Sequence, residues 1–227
     1  MTEIGYRDLG TIDYIPCWSE QERLFASLLE QKGEGRSPEQ AGWLLLCEHP
    51  HVYTLGKSGH AENLLIDEDR LRKLGAEFHR IDRGGDITYH GPGQLVGYPI
   101  LDLERFGLGL KDYIHALEQV VIETAGDFGI RGERIDGATG VWVEGGGRPL
   151  RKLCAIGVRS SRFITMHGFA LNVNTDLRYF SYINPCGFTD RGVTSIASET
   201  GSPVAMVSVK ESLIGHMEKI MNCKIIK

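Results

Sequence analysis

The chain has 227 residues, of which 41% are hydrophobic and 24% are charged, with a formal net charge of −5 at pH 7. These proportions are ordinary for a soluble globular protein and exclude a fibrous or disordered chain. The acidic balance argues against broad nucleic-acid binding, which needs a basic face, and the sequence has no apolar run of 18 residues to span a membrane.

The first half of the chain is predicted to alternate between helices and strands. Ser19 and Glu22 form a capping-box pattern ahead of apolar residues at helical spacing, which predicts a helix over residues 19–31. The elements that follow are a buried strand over 43–47, a short helix over 67–74 and a strand over 77–81.

The second half is predicted to be mostly sheet with two helices. A stripe of apolar residues predicts the longest helix over 111–127, and Ser208 with Glu211 repeats the capping-box pattern for a C-terminal helix. The predicted strands are two pieces between 86 and 103, a hairpin of 141–143 with 153–158, and a strand over 163–173. Together these elements predict a mixed sheet with packed helices, an α/β or α+β fold, in a single domain over residues 1–227.

The cysteines indicate a reducing compartment. There are five, and their odd number, wide spacing and lack of any C-x-x-C pair favour the cytoplasm over a disulfide framework or a zinc site. The N-terminal segment carries acids where a signal peptide needs a basic start, so export is not expected. Cys17, Cys47 and Cys223 are interpreted as small buried hydrophobic residues.

Cys186 is the candidate nucleophile. It lies in the turn-forming run Asn184-Pro185-Cys186-Gly187, which is expected to hold the thiol at the end of a loop. A free thiol has a pKa of about 8.5, so a nearby cation is needed to make it reactive at neutral pH. Cys154 is the competitor, but strand alternation puts it on the same face as Lys152 with parallel side chains, whereas catalytic pairs usually converge from different segments.

Three other features allow more than one interpretation. The run RGGDITYHGPGQ at 83–94 matches no phosphate-binding motif, so it is either a ligand-facing loop or a plain hairpin, and His90 is either a substrate contact or structural. The segment 145–163 has five cations and no acid, which suits either an acidic partner or a solvated hairpin paired with acids elsewhere. His49 and His51 lack a third metal ligand at a recognisable spacing and are interpreted as surface histidines.

Three segments taken together resemble one family. RGGDITYHGPGQLVGYPILDL, then RKLCAIGVR with MHGFALNVN, then INPCG followed by VTSI are similar to the signature segments of the lipoyl(octanoyl) transferases, in the same order and at matching separations. The resemblance implies a cytoplasmic enzyme that moves an octanoyl group from acyl carrier protein to a lysine of lipoyl domains, in 2-oxoacid dehydrogenase complexes and the glycine cleavage H protein. It also implies the fold of biotin protein ligases and lipoate ligases, and a reaction without ATP or metal.

The resemblance assigns roles to individual residues. Cys186 corresponds to the cysteine that carries the acyl group as a thioester, and Lys152 to the lysine that lowers its pKa. The residues that correspond to substrate-binding positions are Arg83, Gly84, Gly85, Asp86, Ile87, Thr88, Tyr89, His90, Ala155, Ile156, Gly157, Gly168, Phe169 and Ala170. Cys154 stands where a small apolar residue is more often expected, so the sequence leaves open whether this second thiol is inert.

Four other functions fit parts of the same pattern. Two share the fold: an ATP-dependent lipoate or biotin ligase, and an amidotransferase that moves octanoyl between lipoyl proteins. A non-catalytic lipoyl- or acyl-binding module would make the thiol incidental. A thiol hydrolase is the least favoured, because no Cys-His-Asn signature is recognisable.

Overall fold

The computed structural model describes residues 1–36, 39–184 and 192–226. Its strands are β1 (Thr2–Thr11), β2 (Gly42–Glu48), β3 (Val52–Leu55), β4 (Glu77–Arg80), β5 (Ile87–His90), β6 (Gln94–Leu101), β7 (Gly132–Ile135), β8 (Ala138–Gly145), β9 (Arg148–Ser161), β10 (Ile164–Asn172), β11 (Gly192–Val193) and β12 (Cys223–Ile226). Its α-helices are α1 (Tyr14–Gly33), α2 (Glu68–Lys73), α3 (Leu110–Asp127), α4 (Ile196–Thr200) and α5 (Met206–Met221).

Most strands join one large mixed sheet. Its order is β12-β1-β2-β6-β10-β9-β8-β7, and β11 pairs with the N-terminal end of β9. β1 runs parallel to both of its neighbours, whereas β6, β10, β9, β8 and β7 are joined by antiparallel pairs. A second sheet has the order β4-β3-β5. The predicted fold class, a mixed sheet with packed helices, is confirmed.

The large sheet lies between helices on its two faces. Its central strand β6 is buried along its whole length, and alternate side chains enter two different apolar clusters. Leu95 and Leu101 pack with α3 and α5, whereas Val96 and Ile100 pack with α1. Each large apolar side chain buried in this way contributes about 1.5–3 kcal/mol, so burial on both faces fixes this strand firmly in place.

Both helices predicted from capping boxes are confirmed, but their predicted starts are wrong. α1 begins at Tyr14, five residues before the predicted start, and Asp13 at its N-cap makes no side-chain capping bond. Tyr14 and Cys17 are both buried, so contact with the rest of the protein sets this helix end. α5 begins at Met206, which leaves Ser208 inside the helix. α1 has 20 residues and α3 has 18, so the prediction of the longest helix is also wrong.

The other predicted elements are confirmed within one to five residues at each end, including the short helix α2, the β8–β9 hairpin and the two strands β5 and β6. The strands β1, β3, β7, β11 and β12 and the short helix α4 were not predicted. No helix among the described residues is long and apolar enough to cross a membrane.

Candidate active site

A narrow cleft opens where β5, β6, β9 and β10 meet the first turn of α1. It contains about 380 Å³ of empty space, part of which is open to solvent. Its lining residues are Tyr14, Arg83, Thr88, His90, Val96, Tyr98, Ala155, Ile156, Gly157, His167, Gly168, Phe169 and Ala170. A mostly apolar wall with a few polar groups is typical of small-ligand sites.

Nine of the fourteen residues predicted to bind substrate line this cleft: Arg83, Thr88, His90, Ala155, Ile156, Gly157, Gly168, Phe169 and Ala170. The two predicted stretches on β9 and β10 are direct antiparallel partners, with Gly157 opposite Gly168 and Ala155 opposite Ala170. No local pattern in the sequence predicts this register. The structure thus pairs residues that are eleven to fifteen positions apart in the sequence, and their role in binding stays a prediction.

The other five predicted residues lie around the cleft without lining it. Gly84 donates a backbone hydrogen bond to the carbonyl of Val158 at 3.0 Å, and the Asp86 carboxylate accepts hydrogen bonds from the backbone N–H of Ile87 and from Asn63, each at 2.7 Å. Ile87 and Tyr89 are buried in the apolar cluster of the small sheet. Gly85 is exposed with φ +88°, a backbone conformation that favours glycine.

Close packing explains two glycines of the site. A Cβ on Gly157 would lie 2.9 Å from the carbonyl oxygen of Gly84, so glycine lets the loop before β5 lie against β9. A Cβ on Gly97 would lie 2.1 Å from the ring of Phe169, so glycine leaves room for that ring beside the cleft. Arg83 fixes the same loop, because its guanidinium donates to the carbonyl of Thr54 at 2.8 Å.

His90 begins a chain of buried hydrogen bonds. Burial, with the nearby His49 ring, lowers the pKa of His90 to about 3, so its imidazole is neutral at physiological pH. Its Nδ1 lies 2.8 Å from Oε1 of Gln94, an oxygen that only accepts, so Nδ1 carries the proton. The Gln94 amide donates in turn to Oδ1 of Asn172 at 2.9 Å.

The same chain continues to the strand that carries Lys152. Asn172 donates to the carbonyl of Thr194 at 3.0 Å, and the Thr194 backbone N–H donates to the carbonyl of Lys152 at 2.9 Å. We call His90, Gln94, Asn172 and Thr194 the polar relay; each is no more than 6% exposed. Sequence reasoning named only its first member, although the others stand in the quoted segments GPGQ, FALN and VTSI.

Lys152 is half-buried on β9, and its ammonium lies 4.6 Å from the centre of the Trp142 ring. An aromatic face at this distance favours the charged ammonium. Val193 on β11 pairs with Lys152 from the other side. Cys186 lies outside the described residues, six positions before Gly192, with which β11 begins.

Cys154 points into the protein core. It is fully buried beside Leu153 in the main apolar cluster, and burial raises the pKa of the Cys154 thiol well above its usual value. The β8–β9 register shifts between Val141 and Trp142, and such a bulge interrupts the alternation of side chains. The prediction that Lys152 and Cys154 share one face is therefore wrong. Cys17, Cys47 and Cys223 are buried as predicted.

Sequence reasoning missed His167, which precedes the predicted stretch at Gly168. It has φ +61°, which is unusual for a residue other than glycine, and its side chain is almost fully buried in the wall of the cleft. Its Nε2 lies 2.8 Å from the Asp82 carboxylate, and its Nδ1 has no hydrogen-bond partner among the described residues. The hydrogen bond from His167 lowers the pKa of Asp82, whereas burial lowers the pKa of His167.

The structure decides between the interpretations of the basic segment 145–163 and of His49. Arg148 and Arg151 form ion pairs with Glu199, and Arg159 pairs with Asp82, so three cations of the basic segment have acidic partners elsewhere in the chain. This outcome favours a hairpin whose charges are already paired. His49 is fully buried, so its interpretation as a surface histidine is wrong.

Comparison with known proteins places this chain in a family. The chain matches the lipoyl protein ligase A/B catalytic domain over residues 13–218. It is 57% identical over 206 residues to an octanoyltransferase of Bacteroides fragilis, covering 91% of this chain and 92% of the relative. It is 49% identical over 229 residues to an octanoyltransferase of Flavobacterium johnsoniae, covering 99% of both. The resemblance inferred from the sequence segments is confirmed.

Solved structures agree on the fold at low sequence identity. A bipartite lipoate protein ligase from Thermoplasma acidophilum matches with a TM-score of 0.73 at 15% identity, over 100% of this chain and 87% of that one. Biotin protein ligase from Aquifex aeolicus matches with a TM-score of 0.52 at 15% identity, over 97% and 70%. The predicted likeness to lipoate and biotin ligases is therefore confirmed for the fold.

Proposed function

We propose that this chain, which belongs to the lipoyl protein ligase A/B catalytic domain family and to its octanoyltransferase members, carries the octanoyl group as a thioester on Cys186. The donor is octanoyl-acyl carrier protein. The acceptors are lysines of lipoyl domains in 2-oxoacid dehydrogenase complexes and of the glycine cleavage H protein. The reaction takes place in the cytoplasm and involves neither nucleic acid nor membrane.

The proposed chemistry has two steps. The Cys186 thiolate attacks the carbonyl carbon of the carrier thioester, and the bond to the carrier sulfur breaks, which releases the carrier thiol. The acceptor lysine nitrogen then attacks the Cys186 thioester, an amide forms and the Cys186 sulfur leaves. Lys152 stabilises the thiolate as an ammonium in the first step and gives its proton to the departing carrier sulfur. The lysine, now neutral, accepts the proton of the incoming amine in the second step. Because the donor is already a thioester, neither ATP nor a metal is required.

The position of Lys152 beside β11 carries the proposal. The described residues end at Asn184 and resume at Gly192, which pairs with Arg151 on β9. The next pair joins Val193 to Lys152. Gly192, six positions after Cys186, therefore lies directly beside the strand that carries the proposed activating lysine.

The apolar part of the cleft supports an acyl substrate. Val96, Ile156, Phe169 and Ala170 line it, and the neighbouring β9 and β10 backbones approach closely at Gly157 and Gly168. An octanoyl tail has seven carbons beyond its carbonyl. Burial of such carbons at about 0.8 kcal/mol each supplies roughly 5 kcal/mol of binding free energy.

Intact mass spectrometry tests the acyl-enzyme. After incubation with octanoyl-acyl carrier protein, the wild type is expected to gain the mass of one octanoyl group, and Cys186→Ala none. Cys154→Ala is the matched control, because that thiol is fully buried, and it is expected to acquire the label. Labelling of Cys186→Ala would overturn the proposal, and activity that survives this substitution but requires ATP would identify a ligase.

Thiol alkylation tests Lys152 separately. The pH profile of iodoacetamide reaction at Cys186 is expected to shift upward by about one pH unit or more in Lys152→Met, which makes alkylation roughly tenfold slower near pH 7. Arg148→Met serves as the control, since that side chain is exposed and paired with Glu199. An unchanged profile in Lys152→Met would refute the activating role of Lys152 while leaving the Cys186 thioester to stand.

A further inference from the structure

Two thiols and an imidazole from separate parts of the chain meet behind the cleft. Cys17 lies on α1, Cys47 lies on β2, and His49 follows β2. The Sγ atoms of Cys17 and Cys47 and a ring nitrogen of His49 all lie within 4.8 Å of one another, and each residue is fully buried. Soft thiolates with an imidazole are a donor set that proteins use for zinc.

The imidazole is held in the orientation that a metal ligand requires. Nδ1 of His49 lies 2.6 Å from the carbonyl oxygen of Ile12, which only accepts, so Nδ1 carries the proton. Nε2 therefore presents its lone pair to the other side, where it lies 3.5 Å from Sγ of Cys47. A hydrogen bond from the second ring nitrogen to a backbone carbonyl is the usual support of a metal-binding histidine.

The spacing and the charge both suit zinc. Bond lengths of about 2.3 Å to sulfur and 2.0–2.1 Å to nitrogen place the ligands of a tetrahedral zinc roughly 3.5–3.8 Å apart, close to the observed contact between Cys47 and His49. The hydroxyl of Tyr98 donates a hydrogen bond to Nε2 of His49 at 2.8 Å, and zinc would take over this lone pair on binding. Two thiolates and a neutral imidazole cancel the charge of Zn²⁺, so the complex can be buried without a net charge.

We propose that Cys17, Cys47 and His49 bind one zinc ion. Binding releases the two thiol protons to solvent and transfers no electrons. The ion joins α1 to the sheet directly behind the cleft, since Tyr14 and Tyr98 belong to the cleft wall. It is a structural ion and takes no part in acyl transfer, so the proposal does not depend on Cys186.

Metal content of the purified protein tests the site. Protein produced in zinc-supplemented medium and passed through gel filtration is expected to hold about one zinc per chain by inductively coupled plasma mass spectrometry. Cys47→Ser and His49→Gln are expected to hold less than about a tenth of that amount. Cys223→Ser and His51→Gln are the matched controls, because Cys223 is a buried thiol outside the cluster and His51 follows His49 by two positions.

Two further measurements use only the wild type, so they test the site even if the variants fail to fold. Metal-free wild type titrated with Co²⁺ is expected to show a thiolate-to-cobalt charge-transfer band. Zinc at about a hundred times its Kd is expected to raise the Tm of the wild type by roughly 5–10 °C. Folded wild type with less than about a tenth of a zinc per chain and no cobalt band would overturn the proposal. A disulfide between Cys17 and Cys47 in the purified protein, seen by peptide mapping, would overturn it too.

Discussion

Asn172 is the link of the polar relay whose loss has the largest expected effect. Its side chain donates to the carbonyl of Thr194 at 3.0 Å and accepts from Gln94 at 2.9 Å, and it is only 3% exposed. Asn172→Ala leaves the Thr194 carbonyl and one amide hydrogen of Gln94 buried without these partners. Each such group costs about 1–3 kcal/mol, so the free energy of unfolding is expected to fall by about 2–6 kcal/mol.

Urea unfolding of the wild type and two variants measures this loss. Asn174→Ala is a close control, because Asn174 makes the same pair of bonds, to the backbone of Val204 at 2.8 and 2.9 Å, but is exposed to water. Water replaces these partners, so Asn174→Ala is expected to lose less than about 1.5 kcal/mol. If Asn172→Ala is no less stable than Asn174→Ala, the relay does not hold the end of β10 to Thr194, the residue after β11.

Two other predictions concern acid stability and acyl-chain length. Hydrogen bonds from Arg151 lower the pKa of Glu199 from 4.5 to about 2. A carboxyl whose pKa is lowered by folding stabilises the protein above its unfolded pKa and loses this effect as pH falls toward the folded value. Glu199→Gln should therefore be less stable than the wild type at pH 7, and chemical denaturation should show the difference shrinking between pH 4.5 and about 2; a constant difference contradicts this. Gly97→Ala should push the Phe169 ring toward the cleft. If the ring takes the space of one of the two methylenes by which octanoyl exceeds hexanoyl, competition between the two donors should shift toward hexanoyl by about fourfold. An unchanged ratio would mean that Phe169 does not limit chain length.

Much of the cleft was predictable because its strands are apolar and its segments resemble those of a known family. The runs that became β6 and β10 are rich in β-forming residues, and both were predicted as strands. The register was not predictable, because Gly157 and Gly168 face each other through pairing between strands, which leaves no local signal in the sequence. The β-bulge next to Lys152 was invisible for the same reason.

The predictions of the helix starts and of the outer strands failed for a different reason. β1 is polar at several positions and becomes a strand by pairing with β2 on one side and β12 on the other, which comes from the opposite end of the chain. The start of α1 is set by burial of Tyr14 and Cys17, which the stronger local pattern at Ser19 concealed. Tertiary contacts therefore overrode local preference at both places.

The buried cluster of Cys17, Cys47 and His49 shows which metal ligands can be recognised from their spacing in the sequence and which cannot. Zinc motifs are recognised when pairs of ligands stand a few residues apart, and here Cys47 and His49 satisfy that condition. Cys17 does not, because thirty positions separate it from Cys47 and only the packing of α1 on β2 brings the two together. A search for local motifs finds two ligands of such a site and misses the third.

The polar relay gives a physical meaning to the segments by which the family was recognised. Gln94, Asn172 and Thr194 stand in three different segments, and none of them lines the cleft. Their hydrogen bonds instead connect the end of β5, the start of β6, the end of β10 and the residue after β11 in one buried line. Because Thr194 also bonds the backbone carbonyl of Lys152, these hydrogen bonds position Lys152 relative to His90, which lines the cleft. The segments therefore contain two kinds of residue: some line the cleft, and others hold in place the strands that carry the lining residues. The residues of the polar relay depend on one another, because a buried polar group that loses its hydrogen-bond partner destabilises the protein.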